Sequence, residues 1–374
     1  MKINAKELTK AITTINKLVV PVKTLDVLNY YDITVKAHIM NIATVDYKHN
    51  STVITVCVNA PVDAPDCNLQ FDRAYITALI QVNRATKAEV INVDESKARI
   101  NVDAEDNNIM PIQPDPGAGF DVLPYNFVWE GNSDILINLA RFTSEDDLRP
   151  ALQCVAIHAG ALVTTNGHFL HALNREKYGQ NTTLLLPGEV CAALPKGENC
   201  IITANATHYK LRAGLAVEYA GGRLDVDYMF PNWERVIPKD APFKVEITPE
   251  HVKQIASVKV PGKDAKLYMV LRPDVLYFCT DENIEAGINA EIILRVPVKV
   301  SRGQDYFNKI VLKFYFKYFT AIWNSAALTG APVSMQLTDS GSCIYLTAGN
   351  SNLLLMPIRI DTATIETSDN LTSK

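Results

Sequence analysis

The opening residues set apolar side chains at helical spacing. At about 100° per residue, Leu8, Ile12, Ile15 and Val19 fall within about 60° of one another. Asn4-Ala5-Lys6-Glu7 has the form of a capping box, with Asn as the cap and Glu three residues on. A helix is therefore predicted to about Leu18. The pattern then changes to short β-rich runs at Asp32–Val35, Ile39–Thr44 and Val53–Val58. A second helix is predicted from Asp72 to about Ala85, followed by strands near Glu89–Val93 and Arg99–Val102. Further along, a helix is expected around Ile135–Arg141. A hairpin of Val155–Ile157 and Ala161–Thr165 should turn at His158-Ala159-Gly160, a short helix should open at Leu186-Pro187-Gly188-Glu189, and Asn199–Ala204 should be the next strand. Thr248-Pro249-Glu250 is a helix start with Thr as cap and Pro at the first helical position. A last helix is predicted at Phe316–Leu328, with strands at Val333–Leu337, Cys343–Leu346 and Leu353–Ile358. Residues 361–374 are polar and Thr-rich and read as a mobile tail. Helix, strands, helix, strands, three times over, predicts an α+β fold with mostly antiparallel sheets.

Short echoes support a threefold repeat. Ala43-Thr44-Val45-Asp46, Val163-Thr164-Thr165-Asn166 and Phe278-Cys279-Thr280-Asp281 share an apolar run, a Thr and then Asp or Asn. Ile109-Met110-Pro111-Ile112 returns as Leu355-Met356-Pro357-Ile358. The period, about 120 residues, is too long for a solenoid and is the length of an independent domain. Hydrophobic residues make up 48% of the 374, enough for two or three cores. The net charge of −5 means that any nucleic-acid role must rest on local basic patches. Seven cysteines without a C-x-x-C pair read as reduced, buried thiols of a cytoplasmic protein. No apolar run approaches the length of a membrane span, and the opening does not resemble a signal peptide.

The chemistry on offer is that of binding. Lys6, Lys10 and Lys17 lie within about 40° of one another on the first helix, opposite its apolar face. Such a stripe suits sequence-independent contact with phosphates, and it also suits an ordinary solvated helix face. The second helix adds Arg73, Thr77, Gln81 and Arg84 on its polar side. His168 follows a glycine turn in Thr165-Asn166-Gly167-His168, with no Ser or Cys nucleophile and orienting acid to place beside it. It reads as a structural or binding histidine. Neither phosphate-cradling glycine motif occurs, the histidines lack metal-ligand spacing, and Glu145-Asp146-Asp147 reads as an exposed turn. No catalytic residue, metal or cofactor is expected. An enzyme built on His168 and a repeated scaffold that does not touch DNA are the competing readings, and the lysine stripe separates the second from a DNA binder.

Four segments together carry a family resemblance. Lys23-Thr24-Leu25 after the first helix, Leu148-Arg149-Pro150-Ala151-Leu152 with Thr165-Asn166-Gly167-His168, Phe230-Pro231-Asn232-Trp233-Glu234-Arg235-Val236-Ile237-Pro238-Lys239, and Leu354-Leu355-Met356-Pro357-Ile358-Arg359-Ile360 resemble the bacterial replicative sliding clamp, the DNA polymerase processivity factor. The resemblance implies three similar clamp domains at 1–125, 126–244 and 245–360, before the tail 361–374. It also implies a head-to-tail homodimer that rings double-stranded DNA without reading sequence. The lysine stripe would face the hole, and Lys23, Arg73, Arg84 and Arg149 are the further DNA-contact candidates. A pocket for short peptides of DNA polymerase and clamp loader is implied at Leu152, Thr165, Gly167, His168, Phe169, Leu170, Pro231, Val236, Leu354, Met356, Pro357, Ile358 and Arg359. Dimer contacts are placed at Ile109 and Met110 on one side and Val258 and Val260 on the other. The family usually has Asp-Gly-His-Arg where this chain has Asn166-Gly167-His168-Phe169, and often an Arg where Val22 stands.

Overall fold

A computed structural model describes residues 1–19, 30–36, 38–46, 52–58, 67–100, 126–158, 160–174, 183–214, 217–262, 264–280, 292–302 and 310–360. The first third runs β1 (Lys2–Asn4), α1 (Ala5–Leu18), β2 (Tyr30–Lys36), β3 (Ile39–Asp46), β4 (Thr52–Val58), β5 (Cys67–Asp72), α2 (Arg73–Thr86), β6 (Val90–Asn92) and β7 (Arg99–Ile100). The second runs β8 (Asn126–Asn132), α3 (Ser133–Ala140), β9 (Cys154–His158), β10 (Ala161–Thr165), β11 (Phe169–Asn174), β12 (Leu184–Pro187), α4 (Gly188–Ala193), β13 (Asn199–Ala204), β14 (His208–Ala213) and β15 (Val217–Gly222). The third runs β16 (Phe243–Ile247), α5 (Pro249–Ala256), β17 (Lys266–Leu271), β18 (Val275–Cys279), β19 (Ile292–Pro297), β20 (Lys299–Arg302), β21 (Ile310–Tyr315), α6 (Phe316–Leu328), β22 (Val333–Leu337), β23 (Ile344–Ala348) and β24 (Ser351–Leu355). The element order thus recurs three times. The echoed Thr motifs fall at the ends of β3, β10 and β18, each paired on both sides, with Asp281 of the third outside the described residues.

The chain forms two compact units, residues 1–137 with 184–228 and residues 138–183 with 229–374. The middle third is shared between them. In the first unit a nine-stranded sheet runs β7-β5-β2-β3-β4-β15-β14-β13-β8. Antiparallel pairing of β4 with β15, Val56 opposite Val217, carries the first third's strands into the second's. In the second unit a sheet runs β9-β10-β11-β24-β23-β22-β16-β20, and β11 pairs with β24, Phe169 opposite Leu355. A four-stranded sheet in the order β19-β18-β17-β21 completes that unit.

Local chemistry explains the helices that bear on function. Asn4 Oδ1 accepts from the backbone N–H of Lys6 at 3.0 Å and of Glu7 at 3.1 Å, which fixes the start of α1. Leu8, Ile12 and Ile15 are buried, each worth about 1.5–3 kcal/mol of transfer free energy. Thr248 caps α5 with Pro249 at its first position, as the sequence predicts. In the second unit α5 and α6 pack together, and Ile255, Phe319, Ile322 and Trp323 join Leu267, Phe278, Met335 and Leu353 in one core.

Two sequence expectations are corrected here. Arg73 is buried rather than on the polar face of α2. Its Nη2 donates to Asn16 Oδ1 at 2.8 Å and to the Val19 carbonyl at 3.4 Å, and its guanidinium lies 5.1 Å from the Tyr31 ring centroid. The first position of α2 points back at the C-terminal end of α1, where a cation meets free carbonyls. Val258 is buried in the second unit's own core, so its apolar surface is used internally, while Val260 packs half-buried against the same core. Lys23, Ile109 and Met110 lie outside the described residues.

His171 on β11 is buried, with Nε2 3.3 Å from Ser351 Oγ on β24 and its ring edge-on to Phe142. Burial pushes its pKa down from 6.5 to about 4. The folded state therefore takes up a proton less readily than the unfolded chain, and stability falls as pH drops through that window. A loss of about 3 kcal/mol between neutral pH and pH 4 is expected. Urea midpoints measured at pH 7.5 and pH 4.5 check this, and His171→Gln should flatten the difference.

Candidate partner groove and basic helix face

The turn between β10 and β11 is built by its own side chains. Thr165 Oγ1 donates to the Phe169 carbonyl at 2.7 Å and accepts from Gly167 N–H at 3.1 Å. Asn166 Oδ1 accepts from His168 N–H at 2.9 Å and from Phe169 N–H at 3.2 Å. Gly167 sits at φ +88°, in the left-handed region where a side chain is strained. The effect is to raise His168 into solvent while Phe169 turns inward.

The β11–β24 pairing brings the last strand among the described residues beside this turn. Met356 N–H donates to the His168 carbonyl at 2.8 Å, and Ile358 N–H donates to the Lys313 carbonyl on β21 at 2.7 Å. Met356 and Pro357 are thus tied at both ends. Met356 remains 43% exposed, a large apolar side chain held on a fixed backbone. Tyr318, in the first turn of α6, closes one wall. Its ring stacks on His168 at 5.5 Å with planes 14° apart, meets Phe169 at 5.1 Å and Tyr315 at 5.9 Å, and lies under Lys317 Nζ at 4.7 Å.

The geometry joins Thr165, Gly167, His168, Phe169, Leu170, Leu354 and Met356 through strand register and hydrogen bonds, with Pro357, Ile358 and Arg359 following along the chain. Leu170 and Leu354 face each other in the register and are buried, as are Phe169 and Leu152, so these four form support rather than surface. Pro231 is exposed, and Val236 is 53% exposed on the 3-10 turn Trp233–Val236. Arg149, expected at the DNA, lies beside the Gly167 turn. Its Nη1 is 3.5 Å from where a Cβ on Gly167 would stand. Phe169, where the resembled family carries Arg, packs edge-on against Phe142 at 4.9 Å. The cation beside the turn therefore comes from another element. The sequence reading missed Tyr318. The aromatic–lysine run Tyr315-Phe316-Lys317-Tyr318 at a predicted helix start was its available signal, since Tyr315 and Tyr318 are three apart and share a face.

The basic face belongs to α1. Lys6, Lys10 and Lys17 are exposed, opposite the buried Leu8, Ile12 and Ile15. The C-terminal end of α2 adds Arg84 and Lys87, and an open basin is lined by Lys6, Thr9, Asn83, Arg84, Lys87 and Glu89. The structure thus brings Lys6 and Arg84 together from separate helices. Elsewhere, burial pushes the thiols of Cys154 and Cys200 up to about 12 and that of Cys279 to about 11, which keeps them protonated at neutral pH.

This arrangement of repeated helices and antiparallel sheets is the fold of bacterial sliding clamps. The DNA polymerase III subunit beta from Pseudomonas aeruginosa matches with a TM-score of 0.69 and 16% identity, over 96% of this chain and 100% of that one. The beta subunit of DNA polymerase III from Thermotoga maritima gives 0.67 at 16% identity, over 96% and 99%. The Helicobacter pylori beta clamp bound to a DNA ligase peptide gives 0.72 at 11% identity, over 96% and 99%. No protein-family model and no curated relative matches the sequence.

Asn166→Ala removes the acceptor for two backbone N–H groups of the turn. A destabilisation of about 1–2 kcal/mol is expected, checked by chemical denaturation.

Proposed function

We propose that this chain is a sliding clamp, a non-enzymatic factor that encircles duplex DNA and tethers the replicative polymerase. The observation that carries the proposal is the double-ended anchoring of Met356 beside the Gly167 turn, in a fold shared with a clamp that holds a DNA ligase peptide. An exposed apolar side chain on a rigid backbone, walled by His168 and Tyr318, suits a short peptide with apolar anchors. Partners of this kind would be the polymerase and the clamp loader.

The proposal includes three clamp domains, 1–125, 126–244 and 245–360, and a cytoplasmic homodimeric ring. The exposed lysines of α1 support the enclosed anion, since an acidic protein holds DNA when the basic charge is local to the inner face. Strand β19 ends its sheet among the described residues and exposes Ile292 and Ile293. An apolar edge of this kind favours pairing with another chain, which makes β19 a better dimer candidate than Val258 or Val260. A repeated scaffold that does not bind DNA gives no role to the lysine stripe.

Replacing Lys6, Lys10 and Lys17 together by Glu should cut retention on closed circular DNA by more than about tenfold, with solution mass unchanged. Equal retention would remove the DNA reading. Met356→Ala with His168→Ala should weaken a polymerase peptide by about tenfold or more in fluorescence anisotropy. Undiminished binding would remove the groove.

A further inference from the structure

Asn166-Gly167 is the one Asn-Gly pair in the 374 residues, and the β10–β11 turn treats the two halves of its amide differently. A glycine after an asparagine leaves its own backbone nitrogen open to the side-chain amide, because no Cβ shields it. Gly167 is exposed, and the nearest atom to the place its Cβ would take is Arg149 Nη1, at 3.5 Å. Asn166 Oδ1 is gripped by two backbone donors, His168 N–H at 2.9 Å and Phe169 N–H at 3.2 Å. Asn166 Nδ2 makes no hydrogen bond among the described residues. Thr165 Oγ1 accepts Gly167 N–H at 3.1 Å and donates to the Phe169 carbonyl at 2.7 Å, which fixes the glycine nitrogen in the turn. The amide oxygen is thus polarised, and the amide nitrogen is free to leave.

We propose that Asn166-Gly167 is a self-modifying site, where the turn's own backbone converts the asparagine amide to a carboxylate through a succinimide. In the first step Gly167 N loses its proton and bonds to Asn166 Cγ. Negative charge gathers on Oδ1, where two N–H groups already point, as donors do in an oxyanion hole. The Cγ–Nδ2 bond then breaks, and Nδ2 leaves as ammonia with the proton that Gly167 N gave up. In the second step water adds to the ring. Opening at Cγ leaves an aspartate at 166 on an unchanged backbone. Opening at the backbone carbonyl leaves an isoaspartate, which inserts a methylene into the main chain between β10 and β11. The aspartate suits the turn. Its carboxylate keeps both N–H donors, and hydrogen bonds to a charged acceptor are about twice as strong as neutral ones. The Arg149 guanidinium beside Gly167 supplies a cation for the new charge. Neither the groove nor DNA enters this chemistry.

The test incubates the full chain, in buffer alone at pH 8, beside a synthetic peptide of residues 163–170. Mass spectrometry follows both for the gain that marks an amide turned into an acid. Conversion at 166 should be about fivefold or more faster in the folded chain than in the peptide, where no turn holds the donors. Ammonia release should match the mass gain mole for mole. Asn166→Asp, which installs the product directly, should move the urea midpoint of the full chain upward at pH 7.5. Conversion in the folded chain no faster than in the peptide overturns the assisted step. A lower midpoint for Asn166→Asp than for the parent overturns the fit of the product, and the site falls with it.

Discussion

An unpaired strand edge is a row of unmet N–H and C=O groups, and this chain meets them by pairing one repeat with the next. β15 of the middle third completes the sheet of β2–β5, and β11 of the same third completes the sheet of β22–β24. The sequence separation is large, but the entropy of closing a long loop grows only slowly with its length. The register of β11 on β24 then decides everything at the groove. It sets the His168 carbonyl opposite Met356 N–H, and it places Leu170 and Leu354 beneath as a buried floor. A one-residue slip would exchange the faces of Phe169 and Leu170 and break the His168–Met356 hydrogen bond, dismantling floor and rim together.

The same economy of faces governs charge. α1 has one side wholly given to packing, and its lysines are confined to the other. Beyond about 8–10 Å, physiological salt screens one charge from another. A phosphate near α1 responds to Lys6, Lys10 and Arg84 and little to the net charge of −5. Arg73 illustrates the opposite use of a cation. It is taken out of the surface to tie α2 to α1 through Asn16 and the Val19 carbonyl.

Much of the architecture was legible in advance. α1 and α6 match their predicted spans closely, because amphipathic spacing and capping chemistry are local. Three of the strands not anticipated, β11, β17 and β21, share a cause. In β17 and β21 five successive residues are buried and in β11 the first four, so the alternation that marks a strand is absent where both faces are covered. At the site, the Gly167 turn and the Met356 segment were readable as motifs, while Tyr318 and Arg149 reach the turn from elements that nothing local connects to it.

By itself, the sequence determined the helices, their caps, the threefold order and the split of α1 into an apolar and a basic face. Each depends on residues a few positions apart. Tertiary structure alone decided that the middle repeat is shared between two sheets, that Arg73 and Val258 point inward, and that Arg149 and Tyr318 stand beside His168. Those outcomes depend on which strand edge meets which, and on burial contributed by residues far along the chain.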